Sequence, residues 1–294
     1  MRNSDRLSTV AVSSQTAFGG AVRGRSGAIL ATVFGMSLIA GCQSGPDVAA
    51  IQAISLDANS GSEQNLGSLT QTVNAHPNDP EAYNVRGTAY GRAGQYENAI
   101  ADFSQAIQID PQFYQAYANR ALIYRQISQP AQAVADYQKA ISINPNYEPA
   151  YVGLGNVYRL AGRSRQALAQ YNKAIQLTNS DPRAYHNRGL LYQRDGQQQL
   201  AIDDFSRAIS LQPNAAEPYS ARGVSYLALN DEDDAFEDFN TALRLDGTKA
   251  EYWTNQALVY EKRGDRSRAY RSYARAVQLD PNYQPAKDGI ARTH

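Results

Sequence analysis

The feature that most constrains this chain is a pattern that repeats six times between Pro80 and Tyr283. Its period is 34 residues, and no copy contains an insertion or a deletion. We number the positions of each unit from 1 to 34, so that unit 1 comprises residues 80–113. Aromatic residues occupy positions 4 and 24, tyrosine occupies position 11, and alanine occupies positions 20 and 27. A constant period of this length predicts similar supersecondary units that stack on one another.

Each unit contains two stretches in which apolar and small residues recur three, four and seven apart, which is the spacing of amphipathic helices. Gly94, Gly162, Gly196 and Gly264 fall between these stretches, where a left-handed residue ends a helix at little cost. A single helix pair cannot bury its own apolar face, so neighbouring pairs must cover it. The sequence therefore predicts an all-α solenoid with a concave groove lined by the first helix of each unit.

The repeated positions resemble the tetratricopeptide repeat, and the resemblance covers residues 80–283, roughly 70% of the chain. It implies a right-handed superhelix of helix-turn-helix repeats with a concave groove. It also implies that the chain binds other proteins. Because spacing alone assembles no nucleophile, base and orienting acid, the sequence predicts that the chain is not an enzyme, with neither a cofactor nor a metal. The six units are 80–113, 114–147, 148–181, 182–215, 216–249 and 250–283.

The first 41 residues have the pattern of an export signal. Arg23 and Arg25 precede an apolar stretch, residues 28–40, that is too short to span a bilayer comfortably. The segment Leu-Ile-Ala-Gly-Cys at 38–42 resembles the lipobox of bacterial lipoproteins, in which the cysteine is lipidated and becomes the new N-terminus. Cys42 is the only cysteine and cannot form an intramolecular disulfide, which favours lipidation. An ordinary cleaved signal or an uncleaved anchor is the alternative.

On this interpretation residues 1–41 are a signal peptide, and residues 42–61, which lack periodicity, are a flexible tether. Gln43 follows the cysteine where an aspartate would resemble an inner-membrane retention signal, so we expect an outer-membrane anchor with the solenoid in the periplasm. Residues 62–79 have the register of a second helix and predict an N-terminal half-repeat. Residues 284–294 predict a short helical stub that leaves the last helix pair partly open.

Arginine at position 7 and aspartate at position 23 occur together in four units and in no others. The remaining units have Leu154 with Gln170, and Gln256 with Ser272. Because an unpaired buried charge is costly, the matched occurrence favours structural ion pairs over ligand binding. The predicted pairs are Arg86 with Asp102, Arg120 with Asp136, Arg188 with Asp204, and Arg222 with Asp238.

Helical register and the resemblance together place positions 2, 5, 9, 12 and 13 in the groove. Its centre is polar and basic, with glutamates towards both ends, so we expect it to bind acidic or carboxylate groups of an envelope protein or peptide. Asn156 matches one position of the carboxylate clamp of chaperone adaptors, but Val152 replaces its lysine, which argues against that ligand. We also expect Arg125, Arg159 and Arg194 to face solvent. The predicted groove residues are Arg125, Gln126, Asn156, Arg159, Arg183, His186 and Arg194.

Composition and motifs exclude several other functions. Residues 1–41 hold four arginines and Asp5, so the remainder has 24 basic and 27 acidic residues, a balance that argues against nucleic acid. The three histidines are scattered along the chain and predict no metal site.

The basic stripe from Lys262 to Arg275 either pairs with the acidic run 231–234 or binds an anionic partner. The repeats and the lipobox together resemble alphaproteobacterial tetratricopeptide-repeat lipoproteins linked to envelope integrity, and this resemblance implies a scaffold that contributes to envelope integrity or assembly. The alternatives are a pilotin-like assembly factor for a type IV pilus or secretion system and an enzyme acting on envelope polymers. The oligomeric state stays open.

Overall fold

The computed structural model describes residues 61–294, so the predicted signal peptide, Cys42 and nearly all of the predicted tether lie outside the described residues. Fourteen α-helices and no strand are present in this range. In chain order they are α1 (Glu63–Ala75), α2 (Pro80–Arg92), α3 (Tyr96–Ile109), α4 (Tyr114–Gln126), α5 (Pro130–Ile143), α6 (Glu148–Leu160), α7 (Ser164–Leu177), α8 (Pro182–Arg194), α9 (Gln198–Leu211), α10 (Ala216–Ala228), α11 (Glu232–Leu245), α12 (Ala250–Lys262), α13 (Arg266–Leu279) and α14 (Gln284–Thr293).

Units 1 to 6 each form one helix pair, from α2 with α3 to α12 with α13. The turn inside each pair contains a residue with positive φ at position 15. The four glycines predicted there have φ between 71° and 76°, which confirms their role, while Ser128 and Asn230 adopt φ of 60° and 63° in units 2 and 5. Pro80, Pro130 and Pro182 begin their helices, where the missing N–H group has no intrahelical partner to lose.

Successive first helices contact one another along the whole array, from α2 with α4 to α12 with α14. Within residues 61–294 no second helix contacts the second helix of the next unit. Helices on the inner side of a curved stack must lie closer than those on the outer side. The first helices α2, α4, α6, α8, α10 and α12 therefore form the concave face of the predicted solenoid, and the second helices form the convex face.

The core follows the repeated positions. The alanines at positions 20 and 27 are at most 1% exposed in every unit, and the aromatic rings at position 24 are at most 3% exposed. Glycine at position 8 makes room for the ring in four units, where an added Cβ would lie 2.5–2.9 Å from it. Units 2 and 6 have alanine there instead. Their rings, Tyr137 and Tyr273, pack against Gly153 and Gly289 at position 6 of the following helix.

Both ends of the array are covered. In α1, Leu66 and Val73 are buried and the helix packs against α2, as a half-repeat would. At the other end α14 packs against both α12 and α13, in the place of a first helix. Ala286 and Ile290 join the cluster around Tyr273. The last helix pair is therefore covered rather than partly open as predicted, because Gly289 lets α14 approach the Tyr273 ring.

Candidate functional site

The four arginines at position 7 are held by their aspartates between the two helices of each unit. Nε and Nη2 of each arginine donate to the two carboxylate oxygens at 2.7–2.9 Å. Each guanidinium also lies 5.7–5.9 Å from the ring centroids of the tyrosines at positions 4 and 11. These donors and ring faces are occupied within the chain, which leaves the arginines little capacity to bind a ligand.

Three of these arginines also reach the preceding unit. Nη1 of Arg120, Arg188 and Arg222 donates at 2.7–2.9 Å to a side chain at position 25 of the preceding second helix. Each of the three therefore connects three helices. The acceptors are Ser104, Asn172 and Ser206.

The centre of the concave face holds two further arginines that have no such partners. Arg125 and Arg159 lie at position 12, in the last turns of α4 and α6, and both are half-buried. The Nε atom of each is inaccessible and makes no hydrogen bond within residues 61–294. The prediction that these two side chains face solvent is therefore wrong, because the neighbouring helices cover their inner halves.

Two tyrosines of the core reach this centre with their hydroxyl groups. Tyr171 Oη donates to Asn156 Oδ1 at 2.7 Å, and burial raises the pKa of Tyr171 to about 12 against the opposing charges of Arg159 and Arg125. Burial likewise raises the pKa of Tyr137 to about 12, against the charge of Arg125. Arg125, Arg159 and Asn156 therefore lie together beside two neutral phenols. The two guanidinium groups, the Asn156 amide NH₂ and the Tyr137 hydroxyl are donors suited to an anionic oxygen, while the Tyr171 hydroxyl is already donated to Asn156.

Arg183 and His186 lie beside this centre on α8. Arg183 is exposed and binds Asp181, the N-cap of α8, with 2.6 Å between Nη2 and Oδ2. His186 packs against the Phe205 ring, its Nδ1 is buried without a partner, and burial lowers its pKa. Both residues line a cavity of about 160 Å³ that extends to Glu217.

The other two predicted groove residues lie apart from this centre. Gln126 is exposed at the end of α4. Arg194 is also exposed, and its Nη2 donates to Ser164 Oγ at the start of α7. Position 13 therefore points towards the turn of the preceding unit, whereas position 12 points into the concave face.

Acidic residues lie towards the far end of the concave face. Glu217 and Glu251 line a cavity of about 460 Å³ together with Asp280. Glu261, which register also places in the groove, is bound by Arg292 of α14 at 2.8 Å and by the Tyr273 hydroxyl at 2.6 Å. The acidic cavity is open to a ligand, but Glu261 has partners within the chain.

The basic stripe divides into two parts. Lys262 and Arg263 pair with the start of α11, where both lie 3.8 Å from Glu232 and Arg263 also contacts Asp233. Arg268 binds Asp265, the N-cap of its own helix. The pairing across the unit boundary therefore involves only two members of the stripe within the described part of the chain.

Sequence reasoning missed the tyrosine hydroxyls and the pair Glu148 and Asp181. The sequence pattern includes Tyr137 and Tyr171 only as two of the aromatic residues at position 24. Glu148 is buried, and burial raises its pKa to about 8, with the charge of Asp181 acting in the same direction. The sequence did contain a signal for the tyrosine hydroxyls. Phenylalanine fills position 24 in the neighbouring units 4 and 5, so packing alone does not require a hydroxyl group there.

Within residues 61–294 no group of three or more His, Cys, Asp or Glu side chains could hold a metal ion. Over the same residues, no helix combines the length and the apolar character needed to cross a bilayer.

Family comparisons cover the whole array. Models described as tetratricopeptide repeat match residues 80–113, 114–147, 136–169, 182–215, 216–249 and 250–283, and one described as TPR repeat matches 155–196. No curated protein matches the chain.

Several solved structures share the fold. The Cut9–Hcn1 hetero-tetramer of the APC/C matches with a TM-score of 0.73 and 24% identity, over 80% of this chain and 47% of that one, so this chain spans about half its length. PilW, a type IV pilus biogenesis factor, matches with a TM-score of 0.65 and 20% identity, over 71% of this chain and 97% of PilW. YrrB, a TPR protein with an unusual peptide-binding site, matches with a TM-score of 0.52 and 23% identity, over 64% of this chain and 97% of YrrB.

Proposed function

This chain belongs to the tetratricopeptide repeat family, and from that premise we propose that it is a non-enzymatic scaffold whose concave face binds a segment of a partner protein. A solenoid offers an extended surface that is formed before the partner arrives, so little ordering is needed on binding. The described titratable groups include no nucleophile held by a base and an orienting acid, the arrangement that nucleophilic catalysis uses. YrrB, a relative in fold, is a peptide-binding protein.

The location of unsatisfied polar groups supports the concave face as the binding surface. Seven described side chains have a buried nitrogen or oxygen without a hydrogen-bond partner. Six of the seven lie on first helices, and all six belong to units 1 to 4. Each such group costs about 1–3 kcal/mol, which a ligand recovers when the side chain turns to meet it. The six residues are Glu81, Gln115, Arg125, Glu148, Arg159 and His186.

Site-specific photo-crosslinking in intact cells tests this proposal. A photoreactive amino acid at Leu122, exposed at position 9 of α4 on the concave side, should capture a discrete partner, which mass spectrometry then identifies. The matched control places the same amino acid at Lys139, which is equally exposed on the second helix α5. If Lys139 captures the same partner as efficiently as Leu122, the concave face is not the binding surface.

We further propose that the scaffold is a lipoprotein of the cell envelope, anchored through Cys42 in the outer membrane and facing the periplasm, where it supports envelope integrity or assembly. The lipobox at 38–42 and the single cysteine support this anchor. Cys42→Ser should abolish lipidation and release the protein from the outer-membrane fraction. Mass spectrometry of the native N-terminus decides the matter, because an unmodified mature N-terminus at any other residue contradicts the anchor.

A pilotin-like role in pilus or secretion-system assembly is the second candidate. It is favoured by the likeness in fold to PilW over nearly the full length of that protein. Deletion of the gene should then remove surface pili while envelope permeability stays normal. A permeability defect with intact pili would instead favour the envelope scaffold.

A further inference from the structure

The residue at position 24 varies together with the residue at position 12. Units 2, 3 and 6 have tyrosine at position 24, and the same three units have a charged residue at position 12. Units 1, 4 and 5 have phenylalanine at position 24 and Gly91, Gln193 and Leu227 at position 12. A hydroxyl group is therefore present wherever position 12 carries a charge, which indicates that the two side chains work together.

Unit 6 shows how the two positions are used when the charge is satisfied within the chain. Glu261, at position 12, accepts the Tyr273 hydroxyl at 2.6 Å. It also accepts Nε of Arg292 at 2.8 Å and Nη2 at 3.1 Å. Arg292 follows Glu261 by 31 residues, at position 9 of the next first helix, α14. The result is a carboxylate, a guanidinium and a phenol in mutual contact.

Unit 2 repeats this arrangement with the charge reversed and one member missing, since the Tyr137 ring, like that of Tyr273, packs on the glycine at position 6 of the next first helix. Unit 3 has the same residue types, but its Tyr171 ring lies over Gly155 and its hydroxyl donates to Asn156 Oδ1. Arg125 and Tyr137 occupy the places of Glu261 and Tyr273, and Arg159 and Tyr171 do so one unit later. The residues at the place of Arg292 are Asn156 and Leu190, neither of which is a carboxylate. Within residues 61–294 neither arginine has an ion-pair partner, and the buried Nε of each makes no hydrogen bond.

We propose that Arg125 with Tyr137, and Arg159 with Tyr171, form two carboxylate subsites one repeat apart, which receive two acidic side chains of the partner segment. The inference rests on the proposed function and specifies its ligand chemistry. Each subsite offers one guanidinium, which suits a singly charged carboxylate that accepts charge-assisted hydrogen bonds. Tyr137 adds its hydroxyl as a donor, whereas the Tyr171 hydroxyl already donates to Asn156 and holds that side chain in place. Asn156 accepts the Tyr171 hydroxyl through Oδ1, so its Nδ2 is a further donor between the two subsites.

Synthetic peptides test the ligand chemistry directly. The probes are fluorescein-labelled Gly-Ser peptides with two glutamates at several separations, each with a matching glutamine peptide, and binding to the purified chain is measured by fluorescence anisotropy. At least one separation should bind tenfold more tightly than its glutamine counterpart. Arg125→Gln and Arg159→Gln should each remove most of that preference. Arg165→Gln, an exposed arginine on the second helix α7, is the matched control and should retain it.

A second measurement requires no ligand. Asn156→Glu places a carboxylate where Arg292 stands relative to Glu261, so Arg125 gains an internal partner. The thermal midpoint of Asn156→Glu should exceed that of the uncharged control Asn156→Gln, and the difference should disappear when Arg125→Gln is added. Asn156→Glu should also weaken binding of the diglutamate peptide, because the subsite is then filled.

The proposal is overturned if no diglutamate peptide binds better than its glutamine counterpart, if Arg165→Gln abolishes the preference as Arg125→Gln does, or if Asn156→Glu and Asn156→Gln melt alike. Photo-crosslinking through Leu122 that survives Arg125→Gln and Arg159→Gln would keep the concave scaffold while rejecting these subsites. Loss of specific crosslinking in the unmodified chain would reject the scaffold itself.

Discussion

Ser272 Oγ donates a 2.9 Å hydrogen bond to Gln256 Oε1, and these two residues occupy the positions that hold aspartate and arginine in four other units. Gln256 Nε2 in turn donates to Asn240 of the preceding second helix at 2.7 Å. Unit 6 therefore keeps the same link between three helices with neutral groups. Because the link persists without charge, its role is to join helices rather than to bind an anion.

The first prediction concerns the charged form of this link. A double-mutant cycle on Arg120 and Asp136 should give a coupling free energy of about 0.5–3 kcal/mol, because the pair is bidentate and largely buried. The same cycle on Gln256 and Ser272 should give a smaller value, since a neutral hydrogen bond contributes less. Unfolding in urea supplies both numbers. Additive effects at Arg120 and Asp136 would return the position 7 arginines to the candidate ligand-binding residues.

The sequence predicted the helices because a period of 34 and intervals of three and four determine which face of a helix a residue occupies. It predicted the ion pairs because arginine and aspartate, 16 residues apart, occur together in the same four units, as Arg86 and Asp102 do. How deeply a side chain is buried does not follow from spacing, because it depends on the bulk of the side chains on the adjacent helices. The burial of Arg125 and Arg159 and the approach of α14 to Tyr273 therefore emerged only from packing.

The second prediction concerns the glycine beside Tyr137. Gly153→Ala places a Cβ about 2.3 Å from Tyr137 Cζ, so the ring must move and the chain should lose roughly 1–3 kcal/mol of stability. Gly67→Ala, in α1 where no atom lies within 4 Å of the added Cβ, should instead gain up to about 1 kcal/mol from helix propensity. Chemical unfolding measures both changes.

A rescue variant separates this packing from a general effect of Gly153→Ala. In units 1, 3, 4 and 5 the ring lies over a glycine at position 8 instead. Adding Ala121→Gly to Gly153→Ala gives Tyr137 that alternative, so the double variant should be more stable than Gly153→Ala alone. A double variant that is less stable would show that the ring does not shift between the two positions.

The third prediction concerns the turn inside unit 2. Ser128 adopts φ of 60° at a position where four other units have glycine. The left-handed conformation costs a residue with a Cβ about 1–2 kcal/mol, so Ser128→Gly should raise the free energy of unfolding by up to about 1 kcal/mol. Asn230→Gly, at the same position of unit 5, should gain less because asparagine tolerates this conformation. An equal gain at both positions would contradict the conformational explanation.

The fourth prediction concerns Glu148, at the start of α6. Its side chain is buried, and burial together with the charge of Asp181 raises its pKa from 4.5 to about 8, against the opposing charge of Arg183. Because the folded chain holds this proton more tightly than the unfolded chain, the stability from Glu148 is fully present below pH 4.5 and is lost as the pH rises through about 8. The thermal midpoint of Glu148→Gln should therefore fall less between pH 5 and pH 9 than that of the unmodified chain.

The comparison must be made as a difference between variant and unmodified chain, because His186 works in the opposite direction. Burial lowers the pKa of His186, so its contribution to stability is lost as the pH falls and cancels part of the Glu148 slope. Asp181 does not interfere, since its pKa, despite burial, is lowered by the hydrogen bonds from Arg183 and it titrates below this range. Glu237→Gln, at an exposed site on α11, is the control and should leave the pH profile unchanged. If Glu148→Gln and Glu237→Gln give the same profile, Glu148 is ionised in the folded chain and its burial is compensated by groups other than its own proton.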